Sequence, residues 1–432
     1  MNTNRQPLEL NADFKYALDL LEKTDRSLFL TGKAGTGKST FLQLFRRTTK
    51  KKTVVLAPTG IAALNVQGQT IHSFFGFPPR VILPKDIKKS GYRKWFKKIE
   101  VMVIDEISMV RADLLDAIDR SLQIHRDNLL PFGGVQVVFI GDLFQLPPVV
   151  STDEERMMLE ARYDSPYFFS AHVMQNVDME NLELRKVYRQ DNRHFLRLLD
   201  AVRLNQVDWE DLEDLNSRYQ PAFKPTKSYI TLSPYNRVVD RINQRELANL
   251  STPEYIFSAK VEGSFDPRLY PADFEMHLKE GAQVMFIKND PEGEFVNGTI
   301  GEVVHLDHQK IVVEANEGEN TKTIVVEPAT WEVLKYRPKK GNPEELETEV
   351  LGTFTQYPLK LAWAVTIHKA QGKTFDKVVI DMGRGAFEFG QAYVALSRCR
   401  TLEGIVLHQK LRHEDIRVDE RIVDYYETHI LN

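Results

Sequence analysis

The residues best placed to do chemistry lie in the run Thr31-Gly32-Lys33-Ala34-Gly35-Thr36-Gly37-Lys38-Ser39-Thr40, directly after the apolar segment Ser27-Leu28-Phe29-Leu30. Four residues separate Gly32 from Gly37, and a lysine and a serine follow, which is the spacing of a phosphate-cradling loop. Glycines let backbone N–H groups turn inward around an anion, and a helix beginning near Lys38 aims its positive end at the same point. Gly35, Thr36, Gly37, Lys38, Ser39 and Thr40 are therefore the expected triphosphate-binding residues, with Lys38 neutralising the outer phosphates and Ser39 ligating magnesium. Asp105-Glu106 follows the apolar run Val101-Met102-Val103-Ile104. Asp105 is expected in the water shell of the magnesium, and Glu106, facing the γ-phosphate, is expected to activate water. Gln145, within Gly141-Asp142-Leu143-Phe144-Gln145-Leu146-Pro147-Pro148, is free to reach a γ-phosphate or its attacking water.

These groups need a scaffold that ends several strands at one place. Ser27–Leu30, Thr53–Pro58, Val101–Glu106 and Val135–Asp142 are near-continuous apolar runs rich in β-branched residues, separated by helix-compatible sequence. That pattern predicts buried parallel strands in a doubly wound α/β sheet, whose ligands gather at the carboxyl ends of the strands. Residues 11–23 put Phe14, Ala17, Leu18 and Leu21 on one helical face, a helix leading into the first strand. Further on, Ser228–Ser233 followed by a helix-like Asn236–Leu250, then Lys377–Asp381 and Gly404–His408, restart the same alternation and predict a second sheet. Between them, residues 283–287, 297–304, 310–314 and 323–327 read as short strands without helices, the texture of a small inserted β domain over roughly 291–352.

The chain has 432 residues, too many for one core, with 57 basic and 61 acidic side chains. A polyanion would have to be held by local clusters and not by a global field. One cysteine, Cys399, excludes a disulfide framework or a cysteine zinc site, and is expected to be a small buried neighbour. The polar start lacks a secretory segment and no apolar run is long enough to span a membrane, so a soluble intracellular protein is expected.

Ala57–Ala63 and Gly68–Phe77 combine small residues, Thr59, His72 and the aromatics Phe74, Phe75 and Phe77. Such residues suit a single-strand surface, where hydroxyls hold phosphates and rings stack on bases, although at least one of the three rings is expected in the core. Asn65–Gln69 reads as a small protruding turn within a wedge-like segment, 64–77. Lys85, Lys88, Lys89, Arg93, Lys94, Lys97 and Lys98 surround Tyr92, Trp95 and Phe96, which fits either a nucleic-acid face or an amphipathic surface helix.

Residues 32–39, 57–63, 105–109 and 141–149 resemble motifs I, Ia, II and III of the superfamily-one DNA helicases of the 5′-to-3′ class. Glu106–Arg120 is similar to the stretch that marks the PIF (petite integration frequency) helicases within it. Leu184–Gln190, Gln356–Gly372 and Ala392–Arg400 resemble motifs IV, V and VI. The resemblance implies two RecA-like lobes with parallel sheets, residues 1–180 forming the first and 181–290 with 353–432 the second, and an SH3-like barrel for the insertion. It implies ATP and magnesium as cofactors, single-stranded DNA and duplex or G-quadruplex junctions as partners, and a monomer able to dimerise on DNA. It makes Arg189 and Arg398 guanidinium groups that reach the γ-phosphate from the second lobe, and adds Thr231, Asn236, Thr366 and His368 to Thr59, Asn65, His72 and Phe74 as DNA contacts. Where many relatives place a glutamine that reads adenine, this chain has Phe14, with Gln6 or Asn11 as substitutes. The expected activity is ATP-driven unwinding by lobe closure. A translocase that unwinds only inside a complex and a nucleotide-gated DNA-binding switch are the alternatives.

Overall fold

In the first lobe, strands buried on both faces explain why the sequence shows apolar runs without alternation. Six parallel strands lie in the order Gln69–Thr70, Thr53–Ala57, Val101–Asp105, Gln136–Ile140, Ser27–Gly32 and Met179–Leu184. The computed structural model describes residues 11–88, 93–188, 190, 192–317, 320–339 and 342–431. Successive side chains alternate between two cores: Leu28 and Leu30 meet Phe14, Leu21, Phe41 and Phe45 on one face, while Phe29 joins Phe139, Ile118 and Leu122 on the other. The expected lead-in helix is Ala12–Lys23, started by the Asn11 side chain, which accepts a hydrogen bond from the Phe14 N–H at 2.7 Å. Because Met179–Leu184 pairs with Ser27–Gly32, the first lobe runs past residue 180.

The second lobe has a four-stranded parallel sheet, ordered Ala364–Thr366, Ile230–Ser233, Val378–Ile380 and Ile405–Leu407. Helix Asn236–Asn249 follows the second of these, as expected. Among the described residues no helix is long and apolar enough to cross a membrane.

The inserted β unit is longer than 291–352. Its five-stranded antiparallel sheet runs Asn320–Val326, Ile311–Glu317, Ile300–Leu306, Gln283–Phe286 and Leu359–Leu361, around a separate core that includes Val284, Phe286, Val303, Ile311 and Leu359. Gln283–Phe286 reads from sequence as one of the short strands but falls before the expected boundary at 291, and its pairing with Ile300–Leu306 and Leu359–Leu361 places it inside the unit. A long hairpin, Ala329–Lys339 with Asn342–Gln356, leaves this unit and rests on the edge of the first lobe. There the Tyr336 N–H donates to Gln69 Oε1 and the Tyr336 hydroxyl accepts from the Val55 N–H, both at 3.2 Å.

The hairpin is held against strand Lys260–Gly263 with no room at Gly352, where an added Cβ would lie 2.6 Å from the Ser264 carbonyl oxygen. Gly352→Ala is expected to destabilise the β unit by ~1–3 kcal/mol, read as a lower urea midpoint.

Candidate nucleotide and nucleic-acid site

Strand Ser27–Gly32 delivers the phosphate loop and helix Lys38–Thr48 leaves it. At Gly32, whose φ is 151°, a Cβ would sit 2.7 Å from Thr36 Oγ1 and 2.8 Å from the Leu184 carbonyl oxygen. Gly37 takes φ 92° and its Cα faces the Phe14 ring, so the loop turns only because both positions lack a side chain. Lys38 Nζ donates to the carbonyls of Gly32 at 2.6 Å and Lys33 at 3.0 Å, and Thr36 Oγ1 donates to the Lys33 carbonyl at 2.9 Å. The helix begins with no acidic residue in its first turn, and Ser39 there is exposed, which leaves its positive end suited to an anion.

Asp105 ends its strand and Glu106 turns the chain at φ 51°, ψ 46°, a left-handed conformation costing a non-glycine residue about 1 kcal/mol. That turn aims both carboxyls into the cleft beside Lys38. Burial pushes both above their ordinary values; for Glu106 the neighbouring Asp105 and Asp142 charges add to it, while Lys38 and Arg398 oppose it. Asp105 and the Ser39 hydroxyl suit magnesium, which is commonly held by one or two carboxylates and by the phosphates themselves. Among the described residues there is no cluster of three or more histidine, cysteine or acidic side chains to favour another metal.

The second lobe reaches this cleft through side chains that the sequence did not single out. Gln371 Nε2 donates to Glu106 Oε2 at 3.2 Å and to Gln145 Oε1 at 2.9 Å. Gln145 Nε2 in turn donates to Asp142 Oδ2 at 3.2 Å. The Tyr393 hydroxyl donates to the same oxygen at 3.2 Å and accepts the Ala34 N–H of the phosphate loop at 3.1 Å. Arg203, fully buried, lies 3.4 Å from Asp142 Oδ1, with its guanidinium 4.3 Å from the centre of the Phe144 ring. Lys33 Nζ pairs with Asp200 at 2.6 Å. Gly390 approaches so closely that a Cβ would lie 2.5 Å from the Gln145 carbonyl oxygen. Asp142, Gln371 and Tyr393 all stand inside motif runs, but spacing in sequence gives no sign that they meet.

Arg398 is buried in the second lobe, donating to the carbonyls of Val394 at 2.9 Å and Lys373 at 3.3 Å and to Ser397 Oγ at 2.8 Å. Its charge is felt at Glu106. Arg189 and Gln6 lie outside the described residues. Asn11 caps its helix and donates to the Tyr188 hydroxyl at 3.2 Å, while the Tyr188 N–H donates to the Gly35 carbonyl at 2.9 Å. The exposed Tyr188 ring therefore stands beside the loop, another residue not singled out from sequence. Burial pushes the Cys399 thiol up to about 11, in keeping with a packing role.

Three expected DNA contacts are corrected. Phe74 is core: its ring packs edge-on against Phe75, Trp95, Phe96 and Tyr336. Thr231 is buried within the central strand of the second sheet, and the buried Thr366 caps helix Ile367–Ala370 by accepting the Lys369 N–H. Trp95 and Phe96 are likewise buried, stacked 4.1 Å apart, while Lys89 and Tyr92 lie outside the described residues. Thr59, Asn65, Asn236 and His368 are exposed. His72 is partly buried, and burial with the nearby Arg111 holds its imidazole below the ordinary value. The turn after Asn65 does not protrude freely: Arg46 donates to the carbonyls of Val66 and Gln67, and Gly68 is pressed against the Val55 carbonyl.

A family model for PIF1-like helicases matches residues 9–212. The ATP-dependent DNA helicase Pif1 of Bdellovibrio bacteriovorus is 31% identical over 97% of this chain and 92% of its own length. The chain belongs to the PIF1-like helicase family. The expectation of an ATP-dependent DNA helicase is borne out by that membership. A PIF1 helicase of Emericella nidulans is 31% identical, and there the chain spans 62% of the relative's length. Pif1 from Bacteroides sp in complex with ADP-AlF4 superposes with a TM-score of 0.89 at 38% identity, covering 97% of each chain. Bacteroides Pif1 bound to ssDNA superposes with a TM-score of 0.69 at the same 38% identity, over 97% of this chain and 96% of that one. The expected pair of parallel-sheet lobes with an inserted β domain is borne out by these matches and by the sheets themselves.

Because Glu106 is held above its ordinary 4.5, the folded chain binds this proton more tightly than the unfolded chain. That contribution to stability is full below the unfolded value and is lost as pH rises through the folded one. Glu106→Gln is therefore expected to melt above the parent at about pH 8, with the gap closing toward about pH 5. Equal melting across this range would contradict the assignment. Gly390→Ala, which forces the lobes apart at the Gln145 carbonyl, is expected to lower ATP turnover while each lobe stays folded, read by steady-state rate and circular dichroism.

Proposed function

We propose that the chain moves 5′ to 3′ along single-stranded DNA and unwinds duplex or structured DNA as ATP closes its two lobes and product release reopens them. The observation that carries this reading is the reach of Gln371 and Tyr393 into the nucleotide cleft of the first lobe, at Glu106 and Ala34. A cleft shared between lobes ties nucleotide state to lobe position, and alternating grip then steps a strand that lies across both. The weaker superposition on the ssDNA-bound relative than on the ADP-AlF4 complex supports a rearrangement of domains that accompanies DNA.

In this reading the backbone of Gly35, Thr36 and Gly37 cradles the phosphates, and Lys38 turns from its two loop carbonyls to the β- and γ-phosphates. Ser39 and Asp105 would hold magnesium, which would offset phosphate charge, and Thr40 stands beside Ser39. Water attacks the γ-phosphorus, Glu106 takes its proton, and the bond to the β-phosphate oxygen breaks with its electron pair leaving on ADP. Gln145 orients the water. Arg398 leaves the Val394 and Lys373 carbonyls to neutralise the transferring group, and Arg189 is assigned the same service. The exposed Tyr188 ring offers a stacking face for the base. Thr59, Asn65, Asn236 and His368, with the partly buried His72, contact the strand. Forked duplexes and G-quadruplexes are the structured substrates proposed, with one copy sufficient and a second able to join on DNA.

Matched duplexes with a tail on only one end test direction: unwinding is expected from the 5′ tail, and a preference for the 3′ tail overturns the polarity. Arg398→Ala is expected to reduce turnover by about 10³-fold or more while single strands still bind. Normal hydrolysis by that variant would remove the inter-lobe mechanism.

A further inference from the structure

Gln371 has no role in the reaction as derived so far, yet it is the second-lobe side chain that touches both Glu106 and Gln145. Its orientation is fixed at both ends of a polar chain. Asp142 accepts only, so Gln145 must turn its Nε2 toward Asp142 and its carbonyl toward Gln371; Glu106 accepts when ionised, so Gln371 must present Nε2 there too. Gln371 thus occupies the carboxylate that has to take a proton and the carbonyl that has to orient water. Contact with both groups therefore restrains hydrolysis.

In the proposed function the same segment contacts the DNA strand through His368. Gln371 closes helix Ile367–Ala370, its N–H donating to the His368 carbonyl at 3.2 Å, so backbone movement at His368 carries Gln371 with it. His368 is exposed and its Nε2 lies 3.2 Å from Glu388 Oε2. A DNA phosphate arriving at His368 competes with the Glu388 carboxylate for that ring. Glu388 stands two positions before Gly390, the residue pressed against the Gln145 carbonyl, so releasing His368 loosens this contact as well.

We propose that Gln371 is a positioning residue that restrains hydrolysis in the absence of DNA, its amide holding Glu106 and Gln145 until a strand at His368 draws it away. This regulation rests on the helicase reading of the cleft. It assigns the stimulation of ATP hydrolysis by single strands to one side chain.

The test compares parent and Gln371→Ala full-length chains in steady-state ATP hydrolysis, with and without a saturating oligothymidylate. Without DNA, kcat is expected to rise about tenfold, the equivalent of one charge-assisted hydrogen bond. With DNA, kcat is expected to stay within about twofold of the parent, so the stimulation ratio collapses while oligonucleotide Kd is unchanged. An unchanged DNA-free rate, or an equal fall with and without DNA, overturns the proposal; the latter makes Gln371 part of the catalytic arrangement. Gln371→Asn, one methylene too short to span both partners, gives the same readout if the alanine variant does not fold. A parent chain that shows no stimulation by single strands would instead sink the motor reading itself, before any variant is compared.

Discussion

A carboxylate that water cannot reach governs how the two lobes meet. Asp142 is wholly buried at the end of a first-lobe strand, and three of the groups that satisfy it are Arg203, the Tyr393 hydroxyl and Gln145. Stripping a buried charge of its partner costs roughly 3–5 kcal/mol, so the segments carrying Arg203 and Tyr393 are held where they can serve it. Phe144, two residues on, is covered by the Arg203 guanidinium and meets the Tyr426 ring edge-on. The loop from Gly141 to Pro148 is thereby packed against side chains of the other lobe.

At the nucleotide cleft the contacts between lobes are polar, Gln371 to Glu106 and Gln145 and Tyr393 to Ala34 and Asp142, whereas farther along Phe144, Phe168 and Phe169 pack against Tyr425 and Tyr426. Hydrogen bonds across a cleft can be exchanged for bonds to water as it widens, whereas a large apolar seam could not separate without exposing its whole area. The electrostatics follow the same geometry. Glu106 is raised by burial and by the acids around it and lowered by Lys38 and by Arg398 from the opposite lobe, so its affinity for a proton depends on where that lobe places Arg398.

The β insertion adds a third support. Its long hairpin places Tyr336 on the edge of the first-lobe sheet, where the ring completes the aromatic packing around Phe74. Rings that read as stacking partners for bases therefore serve to seat the hairpin. Phe74 in this stretch joins the hairpin to the first lobe, and Thr59 and Asn65 are among the polar groups left exposed.

Local sequence was enough for the strands, the glycine turn and the Asp105-Glu106 pair. A strand buried on both faces must be apolar along its length, and a loop folded around an anion must lack side chains at fixed positions, so each leaves a mark within a few residues. The resemblance of the motif runs carried the two-lobe architecture on the same local information. Tertiary structure alone decided that Gln371 would meet Glu106, that Tyr393 would bridge Ala34 and Asp142, and that Phe74 would turn inward. The contacts of Gln371, of Tyr393 and of Phe74 with Tyr336 join residues hundreds of positions apart, and a side chain's partner across such a span depends on how separate units pack, which no periodicity in the chain records.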